Sequence, residues 1–578
     1  MIITNQLAEV SKAKEQKIDI SKNIQKTRRI GLALSGGGFR AAIFHLGVIR
    51  RLEELGIMPQ VKAISAVSGG SIIAAYYLCE MECRLHLEPV TDRTKREVRL
   101  RIFEAIAKDF LAALDKNLRS RALFYTPFYH PWLFIKTLFL KPFRASARSI
   151  LIQKEYDKWF YKGNALDQLP SAPESNPTAP ADISGTKLLL NTTSLLSGER
   201  VSYSREPVSG VNEMSKVNKN VLPISHVVGA SSGVPGLFPP TMIAGDVLVD
   251  GGVADNQGIE SLLEDPSQCN VLLVSDASGQ MEGFDTIGRG ALTVLARVNS
   301  VLQFQVRNKV IDNIVGWKHL PNKDNEVHHF AFIHLFLNLK DRPGADKRVP
   351  SEFIPAIGRI RTDLDQFSYV EWEALMYHGY TLIDAQIRKY CSDVFTDVLA
   401  ANPPQNLLTP PLFREQVLNN KEKEASHSSG RNKIRAELEA GSQNVYLLRC
   451  AKKYPKVVIP ILAVGAALAL FILSLVLIVF PQVLLWLGRT LADLISGLIP
   501  PAAINPINAL LTRLGLLDLT AFITGISGIA AFLVMLLITL YLVSFPVYTI
   551  VRRYAACRDR KVYKDLTGVE PSAHWSDE

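Results

Sequence analysis

The chain has 578 residues, of which 48% are hydrophobic and 21% charged, and its formal net charge is +10. This length exceeds what one ordinary core supports, so we expect a domain of catalytic size together with a second region. No nucleic-acid recognition motif accompanies the positive charge, which therefore fits a protein beside anionic lipid and predicts no nucleic-acid partner. The six cysteines have neither disulfide-scaffold nor zinc-finger spacing, which indicates free thiols in a reducing compartment.

The first part of the chain alternates strand and helix patterns. Residues 1–29 are a charged extension without the apolar stretch of a secretory signal. "IGLALS" (30–35) then predicts a strand that enters three glycines, and the apolar spacing from Ala41 to Leu55 predicts a helix. "VKAISAVSGGSIIAAYYL" (61–78) predicts a second strand, a sharp turn and a second helix. This order predicts an α/β fold with a parallel sheet and helices packed on it.

The remaining elements extend this domain to about residue 392. Further strands are predicted at 186–196, 246–252, 270–278 and 328–337, and helices at 286–313 and 371–390. Residues 84–182 interrupt the alternation, which predicts an insertion or cap. Residues 393–456 are rich in Pro, Ser, Asn and charge and are interpreted as a polar linker.

The C-terminal region carries two long runs without a charged residue, 457–488 and 519–551. Each exceeds the roughly 20 apolar residues with which a helix crosses a bilayer. The sequence therefore predicts a two-helix transmembrane region over 457–551, followed by a tail at 552–578. Basic residues are concentrated outside both ends of this region, so the positive-inside rule predicts a multi-pass membrane protein whose larger domain and tail face the cytoplasm.

Ser68 lies in "SAVSGGS", where a strand turns sharply into a helix beside Gly69 and Gly70. This is the context of a nucleophile elbow, with Ala66 in place of the first glycine of G-x-S-x-G. A serine in such a turn also serves as an ordinary helix cap. The glycine-rich turn at 36–38, one strand and helix earlier, favours a nucleophile, because backbone N–H groups at a helix start stabilise negative charge.

The glycine turn "GGGFRA" also fits G-x-G-x-x-A, the fingerprint of dinucleotide-binding folds. Such a fold needs an acidic residue at the end of the second strand to bind the ribose. That strand ends here in "SAVSGG", and the sequence contains no Gly-Lys-Ser/Thr. Both a dinucleotide site and a Walker-type phosphate loop are therefore disfavoured.

A serine nucleophile needs a base, and three residues are candidates. Asp250 ends an apolar strand and opens "DGGVADNQG", so that its carboxylate can act on a serine without an imidazole between them. Asp276 in "VSDAS" also ends a strand but lacks the following glycine pair. His226 is the least improbable of the histidines, none of which lies in a triad motif. Asp255 and Asn256 are expected to order the turn after Asp250.

These motifs together carry a family resemblance. With "SGGGFRA", "AVSGGS" and "DGG" in family order, the chain resembles a patatin-like phospholipase, of the superfamily that includes the cytosolic phospholipases A; the likeness extends more loosely from Ile30 to about Cys391. It departs from plant-type patatins at Ser35, where they often have Asp, and at Ala66. The resemblance implies a three-layer α/β fold with helices on both faces of the sheet, Ser68 as nucleophile and Asp250 as base.

The resemblance also implies the rest of the site. Its oxyanion and substrate-binding residues would be Gly36, Gly37, Gly38, Arg40 and Gly69. In this reading Arg40 binds a lipid phosphate, and the reaction is ester cleavage of membrane phospholipid through an acyl-enzyme, of phospholipase A or lysophospholipase type, without metal or cofactor. Two alternatives remain: an inactive lipid-binding scaffold, and a regulator of a membrane channel. The absence of ionisable residues from the two apolar runs argues against the latter.

The expected insertion contains an aromatic segment, 124–143, with Trp132 and Phe134 near its centre. It follows a basic stretch, and aromatic and basic side chains favour the headgroup region of a bilayer. We hypothesise that this segment rests on the membrane and passes lipid to Ser68. The alternative is that its rings pack a helical cap against the sheet.

Overall fold

The computed structural model divides the chain into two compact units, one of Met1–Asn444 with Asp559–Glu578 and the other of Val445–Arg558. The described residues are 28–89, 91–93, 95–119, 146–169, 185–205, 222–235, 238–264, 269–278, 291–317, 329–339, 348–418, 430–442, 446–479 and 519–572. The aromatic segment 124–143 lies outside them.

The described helices and strands follow in chain order. They are β1 Ile30–Leu34, α1 Gly38–Glu54, β2 Val61–Val67, α2 Gly69–His86, α3 Arg96–Leu114, α4 Ser146–Tyr156, β3 Lys187–Ser194, β4 Arg200–Tyr203, α5 Ile224–Ser231, β5 Thr241–Ile243, β6 Asp246–Asp250, α6 Ile259–Glu264, β7 Val271–Asp276, α7 Ala291–Trp317, β8 His329–His334, α8 Ile354–Gly358, α9 Tyr369–Tyr390, α10 Thr396–Ala401, α11 Glu415–Leu418, α12 Gly430–Ala440, α13 Tyr446–Lys453, α14 Pro455–Val479 and α15 Leu519–Thr567.

The sheet of the first unit is mixed rather than wholly parallel as expected. Its order is β5-β6-β3-β2-β1-β7-β8, with β4 paired to β3. Neighbouring strands in the part β3-β2-β1-β7-β8 are all parallel. Strands β4 and β6 pair antiparallel with β3, and β5 pairs antiparallel with β6. The short connection between β5 and β6 makes a hairpin, and such a link allows only antiparallel pairing.

Helices pack on both faces of this sheet. Along β1, Leu32 and Leu34 join one buried cluster with α1 and α9, whereas Ala33 joins a second cluster with α6 and α7. Successive side chains of a strand point to opposite faces, so both faces of the central strands are apolar. Helices α1 and α9 approach closely, because a methyl group at Gly47 would overlap the carbonyl oxygen of Met376.

Two segments outside the expected domain complete its core. Residues 393–456 were expected to be a polar linker, yet Leu412, Ile434 and Leu438 within this range are buried in the same cluster as α1 and α9. From the tail, Tyr563 is also buried there, and its hydroxyl donates a hydrogen bond to the Glu373 carboxylate on α9. These apolar side chains are widely spaced among polar ones, which is why composition alone indicated a linker.

The second unit contains α13, α14 and most of α15. The rings of Tyr454 and Tyr554 are 5.6 Å apart, and a methyl group at Gly465 would lie 2.6 Å from Val547 Cγ2. The order of these contacts makes α14 and α15 antiparallel, with a glycine at the close approach. Among the described residues, one helix is long and apolar enough to cross a membrane, with a mean hydropathy of 2.2 over Pro455–Ile472. Most side chains of the second expected span, 519–551, lie outside the described part.

Candidate active site

Ser68 stands alone between β2 and α2 in a strained backbone conformation. Its φ of 51° and ψ of −114° are unusual for a residue with a side chain. The turn is tight because α2 starts directly against the loop after β1: a methyl group at Gly69 would overlap the carbonyl oxygen of Gly38. A serine held at such a turn has the geometry of a nucleophile elbow.

A second serine holds the turn. The N–H of Ser68 donates to Ser231 Oγ at 3.0 Å, and Ser231 Oγ is also 2.8 Å from Ser71 Oγ. Ser231 ends α5, in the segment "ASSGVPGLFPP". Its contact with Ser68 was not predicted, although the Ser-Ser-Gly after a helix of small residues was a signal that α5 packs tightly against a neighbour.

Strand pairing brings Asp250 to Ser68. On β3, Asn191 pairs with Val67, the residue before Ser68, and the next residue, Thr192, pairs with Asp250 at the end of β6. The Ser68 side chain is near enough to the Asp250 carboxylate to lower its pKa by hydrogen bonding. The Gly252 N–H donates to Asp250 Oδ1 at 2.7 Å. The structure thus brings together the two residues that the sequence proposed as nucleophile and base.

Both side chains are almost enclosed, with Ser68 4% and Asp250 6% exposed. Burial raises the pKa of Asp250 to about 6, while the hydrogen bonds from Gly252 and Ser68 act in the opposite direction. A carboxyl group with this pKa is ionised at neutral pH and is a better proton acceptor than an ordinary aspartate. A buried carboxylate of this kind can accept a proton from a neighbouring hydroxyl.

The glycine loop lies beside Ser68, because a methyl group at Gly36 would be 3.2 Å from Ser68 Cβ. The Gly36 N–H donates to the carbonyl oxygen of Asn256 at 3.0 Å and is not available to a substrate in this conformation. Gly37 and Gly38 have φ values of 136° and 60°, which glycine adopts without strain. Within the described residues, no acceptor is paired with the N–H of Gly37, Gly38 or Gly69.

Arg40 is buried below the loop and does not face open space. Its Nη1 donates to the carbonyl oxygen of Ile360 at 2.6 Å and its Nη2 to that of Ala277 at 3.1 Å. Burial lowers the pKa of Arg40 to about 10, and nearby Asp276 acts in the opposite direction. This geometry favours a structural role for Arg40 over phosphate binding.

The two other candidate bases have different partners. Asp276 accepts hydrogen bonds from the main chain and hydroxyl of Ser278 and pairs with Arg307 Nε at 2.8 Å. His226 is half-buried on α5; burial lowers its pKa, and Asp157 raises it. In the described part of the chain, neither residue is hydrogen-bonded to Ser68. No three His, Cys, Asp or Glu side chains there are grouped in a way that could hold a metal.

Comparison with known proteins gives the class of this domain. Residues 32–263, which include the glycine loop, Ser68 and Asp250, match the family of patatin-like phospholipases. The chain therefore contains a patatin-like phospholipase domain. Among solved structures, it is similar to VipD from Legionella pneumophila, at 15% identity and a TM-score of 0.25, over 74% of this chain and 76% of that one. No curated protein sequence matches it significantly.

Proposed function

We propose that this protein is a membrane-anchored lipid acyl hydrolase that cleaves carboxylic esters, of phospholipase A or lysophospholipase type. The observation that carries the proposal is that Ser68, held at a strained strand-to-helix turn, is brought by strand pairing beside the buried Asp250 carboxylate. The patatin-like phospholipase domain supports lipid ester as the class of substrate.

The reaction proceeds in two halves. Asp250 accepts the hydroxyl proton as Ser68 Oγ attacks the ester carbonyl, and the protonated Asp250 then gives that proton to the departing alcohol. The product is an acyl ester on Ser68. In the second half Asp250 takes a proton from water, the resulting hydroxide attacks the acyl ester, and the proton returns to Ser68 Oγ as the fatty acid leaves.

The negative charge that develops on the carbonyl oxygen requires hydrogen-bond donors in fixed positions. We assign this role to the N–H groups of Gly37, Gly38 and Gly69, which begin helices α1 and α2 beside Ser68. The dipoles of both helices add to the stabilisation, since their positive ends face the oxyanion.

Membrane attachment rests on the second unit. Only 11% of the apolar stretch Pro455–Ile472 is buried, whereas a core helix of a soluble protein is mostly buried. Large apolar side chains along it, including Val464, Leu470 and Phe471, are more than half exposed. Such a surface is stable in hydrocarbon and costly in water. We propose that α14 and the apolar part of α15 form a transmembrane hairpin, with the hydrolase unit facing the cytoplasm.

The experiment compares fatty-acid release from phospholipid vesicles by the purified full chain and by Ser68→Ala and Asp250→Asn. We expect each variant to lose activity by about three orders of magnitude or more and the double variant to be no worse, since the pair acts as one unit. The matched controls are Ser392→Ala and Asp393→Asn, an exposed adjacent pair at the end of α9. A serine-directed fluorophosphonate should label the wild type and not Ser68→Ala. A folded wild type that neither reacts nor cleaves supports the inactive scaffold instead.

A further inference from the structure

Asp255, the residue before Asn256, holds the loop after Asp250 in place. Asp255 is fully buried, and its carboxylate accepts three main-chain N–H groups, from Gln257 at 3.0 Å, Gly258 at 3.0 Å and Glu260 at 2.9 Å. Its own N–H donates to the carbonyl oxygen of Gly251 at 3.0 Å. These bonds span both sides of Asn256, so the position of Asn256 is fixed relative to Asp250.

Asn256 contacts the two loops of the site at once. Its carbonyl oxygen accepts the Gly36 N–H at 3.0 Å. Its side-chain Oδ1 lies against the Cα atoms of both Gly36 and Gly252, because a methyl group on either glycine would overlap it. The same methyl position on Gly36 would lie 3.2 Å from Ser68 Cβ, and that on Gly252 would lie 3.0 Å from Asp250 Oδ1.

We propose that Asn256 is a positioning residue of the hydrolase site, a role that rests on the proposed function. Its side-chain carboxamide is a spacer between the glycine loop and the Gly252 turn that holds Asp250. Its main-chain carbonyl oxygen accepts the Gly36 N–H, which is therefore not available to the oxyanion. The N–H groups of Gly37 and Gly38 are thereby held at a fixed distance from Ser68 Oγ. In this proposal Asn256 acts through the glycine loop and the Gly252 turn rather than on the reacting atoms.

This role has a kinetic consequence. Oxyanion donors act only within about 2.7 to 3.1 Å of the developing charge, so a small shift of the glycine loop lowers transition-state stabilisation while ground-state binding changes little. Asn256→Ala should therefore lower kcat on a short-chain nitrophenyl ester by about tenfold or more, with KM within about twofold. Fluorophosphonate labelling of Ser68 should slow in proportion. Asn402→Ala, in the loop after α10, is the matched control.

A second variant tests the distance to Asp250 without removing volume. Asn256→Asp has the same shape and places a negative charge beside the base, and a like charge raises the pKa of a carboxyl group. The acidic limb of kcat/KM should move to higher pH by about one unit. A residue with a purely structural role elsewhere would leave that limb in place.

A third comparison tests the spacer directly. Gly36→Ala alone adds a methyl group that overlaps the Asn256 carboxamide, and we expect a severe loss of activity. Combining it with Asn256→Ala frees that space, so the double variant should recover at least part of the activity lost by Gly36→Ala. Such a gain is non-additive and requires contact between the two side chains.

The results separate this inference from the proposed function. Wild-type activity that depends on Ser68, together with Asn256→Ala and Asn256→Asp at wild-type kcat and pH profile, overturns the positioning role alone. The positioning role is also overturned if the activity losses of Gly36→Ala and Asn256→Ala simply add in the double variant. A wild type without Ser68-dependent hydrolysis overturns the proposed function, and the positioning role with it.

Discussion

At the scale of single residues, the proposed role of Asp250 as base predicts the pH range of the activity. Burial raises its pKa to about 6, and only the ionised form accepts the proton of Ser68. We expect kcat/KM on a soluble ester to fall below about pH 6, close to tenfold per pH unit, and to be level above pH 7. A limb near pH 4 would indicate a solvated base. Loss of the limb in His226→Gln would move the base to that histidine.

Arg40 gives a second prediction at this scale. Its guanidinium donates to the carbonyl oxygens of Ile360 and Ala277, and a lysine ammonium cannot reach both. Arg40→Lys should therefore lower the free energy of unfolding by roughly 1 to 3 kcal/mol and reduce cleavage of phospholipid and of a neutral nitrophenyl ester equally. Both rates and the melting temperature are measured. A loss confined to phospholipid, at an unchanged melting temperature, would restore the phosphate-binding role.

Ser68 and Asp250 could be proposed from the sequence as nucleophile and base because each lies in a short motif that is recognisable from neighbouring residues. Ser68 lies in a tight turn between a strand and a helix, and Asp250 ends a strand and is followed by two glycines. The contacts of Ser231 and Asn256 are not local. They depend on which strands pair and in which register, and a single sequence carries no direct signal of either. For the same reason the partners of Arg40, more than two hundred residues away, could not be inferred.

At the scale of elements, long apolar strands were predictable and short ones were not. The strands β1, β2, β3, β6, β7 and β8 all lie within predicted segments, whereas β4 and β5 have four and three residues. Strands this short show no measurable periodicity. The pattern also carries no signal of strand direction. The expected parallel sheet is mixed because β4 and β6 both pair antiparallel with β3, and β5 pairs antiparallel with β6.

The tail provides the prediction at this scale. Tyr563 is buried against α9, and its hydroxyl satisfies the buried carboxylate of Glu373, whose pKa burial raises to about 7. Tyr563→Phe removes this donor and should cost roughly 1 to 3 kcal/mol of unfolding free energy. Thermal unfolding in detergent measures it. The control is Tyr390→Phe, an exposed tyrosine at the end of α9, and equal stabilities of the two variants would mean that the tail is not docked in solution.

At the scale of the whole molecule, both flanks of the apolar unit belong to the hydrolase unit. Residues before Val445 and after Arg558 are parts of one compact body, so the chain between them must leave and return on the same side of any membrane. For the proposed membrane anchor this predicts an even number of crossings, independently of the basic residues at the two ends. Reporters fused before Met1 and after Glu578 should give the same-side signal, and one inserted near Pro501 the opposite. Ends on different sides would contradict the hairpin.

The returning tail also changes how a soluble enzyme should be made. Ending the chain at Asn444 removes Tyr563, so that the Glu373 carboxylate loses the donor to Oε2 and keeps the Leu412 N–H on Oε1. Replacing Val445–Arg558 with a flexible linker keeps both. We expect the linker version to be soluble, to retain esterase activity on dispersed substrate and to melt several degrees higher than the truncated one. Equal melting temperatures of the two would show that the tail adds nothing to the fold.

The discontinuous hydrolase unit has a consequence for biosynthesis. A ribosome releases the last piece of its core, Asp559 onward, only after both apolar helices have been made. Most of the sheet and the Ser68 turn can form earlier, but the hydrophobic cluster that includes Tyr563 cannot close until then. In the proposed membrane-anchored form, completion of the fold is thus tied by chain order to the insertion step, and we expect the hydrolase unit to reach its final stability only beside the membrane.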